Sequence, residues 1–317
     1  MKDTGLKTKI DMFGNTKNYI DDLDLGDYNF DPSLGNGAPK HEEPEPIRKE
    51  TLGIVGAASF FDKEPPPIEW LIEGVAEKKN LIMMAGAPKT AKSWMAIEMG
   101  LCVATGKPLF GDPLLLGREK KGRVLFCFLE DGPHNVHARI TALARSKGVT
   151  NVKDLSLMFR FGGGIDMGNS EQAQRFGQIV SEEYPDLDLI VFDPFRNLHY
   201  GDENDSANII RVMENLRSVR DKTGAAVLVI HHTRKPSSSD KNNPGFAIRG
   251  SGAIFGAVDG LVALSNVEDI EDDSITNNVF IRVKAGKEAK PFSASLSILD
   301  GPNGRARVAK WKVSAKI

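Results

Sequence analysis

The segment LIMMAGAPKTAKSWMAIEMG, residues 81–100, constrains the fold more than any other stretch of the chain. It reads as a short apolar strand, a turn-forming loop, and then a helix from about Ser93 to Thr105. The loop runs Gly86, Ala87, Pro88, Lys89, Thr90, Ala91, Lys92, Ser93 and leads into Trp94. Gly, four residues, Gly, Lys and then Ser or Thr between a strand and a helix form a phosphate-binding loop. Successive backbone N–H groups of such a loop wrap the β- and γ-phosphates of a nucleotide, and the helix start adds its dipole. Lys92 is then placed to reach the phosphate oxygens, and the Ser93 hydroxyl to hold Mg2+. Ala91 departs from the pattern, standing where its second glycine belongs. If that position requires a left-handed backbone, alanine costs roughly 1–2 kcal/mol there. A chance match at a strand–helix junction is the plain competitor, and each acidic partner found downstream weakens it.

Three further apolar runs follow: GRVLFCFLE (122–130), DLDLIVFD (186–193) and AAVLVIHH (225–232), read as the second, third and fourth strands. Their apolar residues are continuous rather than alternating, which indicates strands buried on both faces. Helices separate them. DGPHNVHARITALARSKG places Val136, Ile140, Leu143 and Ala144 on one helical face, and SANIIRVMENLRSVRDKTG (206–224) is a helix closed by Gly224. The expected fold class is therefore α/β, with a mostly parallel central sheet flanked by helices. GAVDGLVALSN and NVFIRVKAGKEAKPFSASLSIL read as further strands with hairpin turns, so the C-terminal strands are expected to be antiparallel. No internal repeat suggests a solenoid.

A phosphate-binding loop needs a carboxylate for the metal shell, and Asp193 at the end of LDLIVFD suits that role. Its competing reading is a turn cap, since Pro194 follows. A base must also polarise the attacking water. Pro194 occupies the position directly after Asp193, so Glu130, ending the strand expected beside the phosphate-loop strand, is the candidate. Asp131 precedes Gly132 and Pro133 and reads as a helix N-cap. His231 and His232 end the fourth strand. Strand alternation favours His232 as a γ-phosphate sensor, with a hydrogen-bonded histidine at the sheet edge as the bland reading. No Cys/His cluster accompanies the pair, so a metal role is not expected of it.

Composition bounds the rest. The chain has 317 residues and a formal net charge of −2, so any nucleic-acid contact must be local. Residues 1–65 hold 8 Lys/Arg against 13 Asp/Glu, are broken by Gly and Pro, and show no sustained period. That composition reads as a disordered acidic tail. The sharper reading is a partner-docking or DNA-mimicking arm, with Met12, Phe13, Tyr19 and Ile20 as a short anchor. Residues 66–317 form the remaining domain. Cys102 and Cys127 lie inside apolar runs and read as buried hydrophobes, which makes a reducing, cytoplasmic setting the default. No secretory signal or membrane span is expected.

Taken together, PPPIEWLIEG, GAPKTAKSW, VATGKPLFG, FLEDGPHNVHARI, LIVFDPFRNLH, VLVIHHTRK and IRGSGAIFGAVDGLVAL resemble the RepA-like hexameric replicative helicases. These are RecA-fold P-loop ATPases of the AAA_25 type, and the resemblance covers about residues 67–265. It implies a RecA-like core, ATP and Mg2+ as cofactors, and a homo-oligomer, a hexamer, with ATP sites between neighbouring subunits. Such a chain would be encoded by a phage, plasmid or bacterial genome. The resemblance further implies that Arg249, in IRGSGA, completes the neighbouring site as an arginine finger. Arg139 matches a basic residue of the helix after the Glu motif, with an ordinary surface charge as its competitor.

In a ring of this kind the loops at 196–208 and 233–248 line a channel for single-stranded DNA. The second loop offers Arg234, Lys235 and Lys241 to phosphates and Phe246 for stacking. An ordinary solvated loop fits the same composition. Residues 276–317 carry nine Lys/Arg against two acids, which suits either a nucleic-acid backbone or a sheet edge protected by lysines. The expectation is an ATP-dependent DNA helicase or translocase of replication. Its alternative is a DNA-binding accessory or recombination protein that uses ATP as an assembly switch without unwinding.

Overall fold

The computed structural model describes residues 9–10, 16–17, 54–111, 120–203, 205–232, 252–266, 275–283, 288–300 and 306–316. The chain divides into two units, Met1–Pro65 and Pro66–Ile317. In the first, β1 (Lys9–Ile10) pairs antiparallel with β2 (Thr16–Lys17). Its short helix α1 (Ala57–Phe61) buries none of its residues.

The second unit opens with a small antiparallel pair, β3 (Trp70–Ile72) and β4 (Ala76–Glu77). Then come β5 (Leu81–Gly86), α2 (Lys92–Thr105), β6 (Val124–Phe128), α3 (Pro133–Ser146), β7 (Leu157–Phe161), α4 (Ser170–Glu183) and β8 (Leu189–Asp193). The chain continues through α5 (Ser206–Thr223), β9 (Ala226–His232), α6 (Gly252–Ala257) and β10 (Gly260–Asn266). It ends with β11 (Ile275–Val283), β12 (Glu288–Asp300) and β13 (Ala306–Lys316). Among the described residues β5 to β13 form one sheet, in the order β13-β12-β11-β10-β5-β9-β8-β6-β7. The six strands from β10 to β7 run parallel, and β11, β12 and β13 extend the sheet antiparallel. This is the expected α/β architecture with antiparallel C-terminal strands.

Alternate residues of each parallel strand face opposite sides, and both sides are covered. Ile82, Met84, Phe126, Val191 and Leu228 join one core with the apolar faces of α2 and α3. Leu81, Met83, Cys127, Ile190 and Val227 join the other with α4 and α5. That is why these strands read as unbroken apolar runs. Both cysteines are buried, and burial pushes each thiol up to about 12. Gly100 sits in the middle of α2 for a packing reason. A Cβ there would fall 2.2 Å from Cζ of Phe126, so the missing side chain lets α2 lie close against β6. The buried side chains of Lys147, which caps the end of α3, and Glu98 pair at 2.7 Å and tie α3 to α2.

Three sequence expectations are corrected. First, LIVFD is the fourth parallel strand of the chain, because β7 and α4 precede it. β7 is an edge strand of half-buried and exposed residues, and α4 buries Ala173, Gly177 and Val180, a stripe too small to register as apolar. Second, β6 is not the neighbour of β5; β9 and β8 stand between them. Third, GLVALSN is not half of a hairpin alone: β10 lies parallel to β5 on one side and antiparallel to β11 on the other.

Candidate nucleotide-binding cavity at the carboxyl ends of the strands

β5 delivers its loop to the carboxyl edge of the sheet, where parallel α/β folds place ligands. Two loop residues take left-handed backbones, Lys89 at φ 65° and Ala91 at φ 56°. The conditional cost of Ala91 therefore applies: alanine occupies a conformation that glycine adopts freely. Gly86 is required by a close approach. A Cβ on it would come within 2.7 Å of Thr90 Oγ1 and 2.9 Å of the Leu264 carbonyl. Lys92 curls back over the loop, its Nζ donating to the carbonyls of Gly86 at 2.9 Å and Ala87 at 2.6 Å. Thr90 Oγ1 donates to the same Ala87 carbonyl at 2.9 Å. Burial lowers the Lys92 ammonium to about 8, although the Asp193 carboxylate works in the opposite direction.

A cavity of about 470 Å3 opens in front of this loop. Its wall includes Lys89 to Trp94 from the loop and α2, Glu130 and Asp131 beyond β6, Arg139 from α3, Asp193 and Pro194 at the end of β8, and His232 from β9. Burial, first of all, pushes the Asp193 carboxyl up to about 6; a hydrogen bond with the Ser93 side chain opposes the shift, and the nearby Asp131 adds to it. Asp193 Oδ2 is buried without a hydrogen-bond partner. The orphaned oxygen beside a serine hydroxyl is a donor set that fits a hard divalent cation. Among the described residues no group of three or more His, Cys, Asp or Glu could hold a metal by itself.

The remaining expected residues fall as follows. Glu130 is exposed on the cavity wall, and His232 lines it half-buried. His231 points away, buried edge-on to Phe195 with ring centroids 5.1 Å apart. Asp131 is not the N-cap of α3; Gly132 occupies that position and makes no side-chain cap. The Asp131 carboxylate instead accepts a charge-assisted hydrogen bond from Nη1 of Arg139. The Arg139 guanidinium also lies over the Trp94 ring, 5.7 Å from its centroid. Sequence reasoning missed this trio as a unit. Its only signal was the spacing of an acid and a base across the first two turns of α3. Arg234, Lys235, Lys241, Phe246 and Arg249 lie outside the described residues. The loop at 196–208 is less open than its composition suggests: Leu198 and His199 are buried, whereas Tyr200 is exposed.

A family model described as an AAA domain, AAA_25, matches residues 48–238, more than half of the chain. The chain belongs to the AAA_25 family. This AAA domain also aligns with a solved DnaB-like replicative helicase, whose structure was determined with attention to its interactions with primase, at 13% identity and a TM-score of 0.50. That alignment covers 70% of this chain but only 56% of the helicase chain. A second solved structure, an ATPase domain, aligns at 14% identity and a TM-score of 0.49, covering 70% of this chain and 82% of that one. A KaiC-like protein of Pyrococcus horikoshii OT3 aligns at 16% identity and a TM-score of 0.49, covering 77% and 93%. The family match and the loop between β5 and α2 together make the chain a P-loop protein of the AAA type, built on a parallel α/β sheet. Among the described residues no helix is long and apolar enough to cross a membrane.

Proposed function

We propose that this AAA domain is an ATP-driven motor acting on DNA in replication, a RepA-like helicase or translocase that assembles as a ring, a hexamer, with ATP between subunits. The observation that supports it most is the convergence of Lys92, Ser93, Glu130, Arg139, Asp193 and His232 on one cavity, supplied by five separate segments of the chain. In this reading residues 66–317 are the motor and residues 1–65 are a tail that docks a replication partner.

Residues 86–94 cradle the phosphates, and Lys92 leaves its carbonyl partners for the β- and γ-oxygens. Ser93 and Asp193 would hold Mg2+, which would supply charge neutralisation at the phosphates. Glu130 accepts a hydrogen bond from the attacking water and takes its proton as the water oxygen bonds to the γ-phosphorus, while the bond from that phosphorus to the β–γ bridging oxygen breaks and ADP and phosphate leave. Asp131, bound to Arg139, is not available for that task. His232 contacts the γ-phosphate and relays its loss to the loop that follows β9. Arg249 of a neighbouring copy stabilises the charge that develops in transfer. Arg234, Lys235 and Lys241 contact the backbone of single-stranded DNA.

The test is steady-state ATP hydrolysis with and without single-stranded DNA. Several-fold stimulation is expected, with loss of turnover by at least ~10³-fold in Lys92→Ala, in line with removal of a principal phosphate ligand. Glu130→Gln is expected to bind ATP without hydrolysing it, and retained turnover there would refute the base assignment. ATP binding with negligible hydrolysis by the unaltered chain, with or without DNA, would turn the reading toward an assembly switch.

A further inference from the structure

The amino ends of the same parallel strands form a second concavity, of about 520 Å3, far from the nucleotide cavity. A six-residue strand such as β5 separates the two by roughly 20 Å. Five cations line it: Lys78 and Lys79 just before β5, and Lys120, Lys121 and Arg123 just before β6. Lys79, Lys120 and Lys121 are exposed, while Lys78 and Arg123 are half-buried. The acids nearby offset this charge only in part. Asp188 is buried, and its Oδ2 accepts the backbone N–H of Arg123 at 3.0 Å. Asp186, 85% exposed, lies 4.0 Å from the Arg123 guanidinium, and Glu69 pairs with Lys78 at 3.0 Å. A net positive hollow thus arises in a chain whose formal charge is −2, because the fold gathers two distant basic segments at one end of the sheet.

The chemistry of the wall selects among anionic partners. A protein partner needs an apolar or aromatic anchor pocket at the centre of its footprint; among the described residues the one large apolar side chain of the lining, Leu187, is buried in the core. A single strand is gripped by aromatic rings that stack its bases, and among the described residues the lining contains no aromatic ring. What remains is a cluster of point charges on flexible stems, suited to phosphodiester oxygens at fixed spacing and indifferent to base sequence. We propose that this concavity binds the sugar-phosphate backbone of duplex DNA. It rests on the reading that the chain works on DNA but requires no step of ATP hydrolysis, and it gives the ATPase a duplex contact at the sheet end opposite its nucleotide.

The experiment uses the full chain without nucleotide and a fluorescently labelled duplex of mixed sequence, followed by anisotropy across a salt series. The double variant Lys120→Glu/Lys121→Glu is compared with the unaltered chain, and Lys79→Glu serves as a second, single-site variant should the double one fold poorly. Hydrolysis in the absence of DNA should be unchanged in both. The expected result is duplex binding weakened ~10-fold or more in the double variant at moderate salt, with the slope of log K against log salt reduced by about 2, one per lost phosphate contact. Unchanged duplex affinity and slope would overturn the proposal. So would poly-glutamate displacing the duplex at equal charge concentration, which would mark an acidic protein surface as the ligand, or an equal loss for an oligothymidylate single strand. A chain whose hydrolysis ignores DNA, yet whose duplex binding depends on Lys120 and Lys121, would sink the motor reading and leave this one standing.

Discussion

At the carboxyl ends of β5 and β8 two charged groups, Lys92 and Asp193, are drawn out of water. At the amino ends of β5 and β6 three others, Lys79, Lys120 and Lys121, are exposed. Lys92 is 5% exposed and Asp193 8%, and their acidities shift in opposite directions because burial disfavours the charged form of each. Lys120 and Lys121, by contrast, are exposed and contribute little to packing. The contrast locates the tension between function and stability. A buried, incompletely partnered site destabilises the free protein and is relieved by ligand, whereas an exposed basic hollow costs the fold almost nothing.

The largest effect on this balance is expected from Asp193→Asn. The shift of the carboxyl from its ordinary 3.8 to about 6 corresponds to a penalty of roughly 3 kcal/mol when it is ionised. Because the folded-state value is raised, that penalty is fully present above about pH 6 and is relieved as pH falls toward 3.8. Urea denaturation in EDTA at pH 8 should find the variant more stable by up to about this amount, with the gap closing toward pH 4, while hydrolysis is lost. A less stable variant would mean that the Ser93 contact outweighs desolvation.

A smaller effect is expected at Ala91→Gly. Relief of the left-handed alanine is worth roughly 1–2 kcal/mol, and the gain in unfolded-chain freedom returns about 0.4–1 of it. The net gain of about 0 to 1.6 kcal/mol should appear as a raised urea midpoint. No change would show that neighbouring residues have relaxed the strain. The smallest effect belongs to the other end of the sheet: Lys120→Glu/Lys121→Glu should leave stability within about 0.5 kcal/mol. A larger loss would show that the basic hollow is structural after all.

Much of the fold was legible before any coordinates. The apolar runs became β5, β6, β8 and β9, and Gly224 closes α5 in a left-handed C-cap as its position suggests. β7 and α4 were not legible. An edge strand packs one face only, and Phe159 and Phe161 are 41% and 37% exposed beside their stacking partners Phe126 and Phe128. In the site, Lys92, Ser93 and Asp193 declare themselves by motif and strand end. Asp131 did not, because a carboxylate before Gly-Pro has the same local pattern whether it caps a helix or reaches across to Arg139.

Elements with a local cause were thus written in the order of the residues: the phosphate loop between β5 and α2, the helix faces repeating every three or four residues, and the doubly buried strands. It took the folded sheet to establish which strands are neighbours, that Asp131, Arg139 and Trp94 act together, and that lysines before β5 and β6 share one hollow. The cause of this division is range. Backbone periodicity and capping depend on residues a few positions apart, whereas a charge cluster depends on contacts between segments far apart in the chain, which exist only once the sheet has chosen its order.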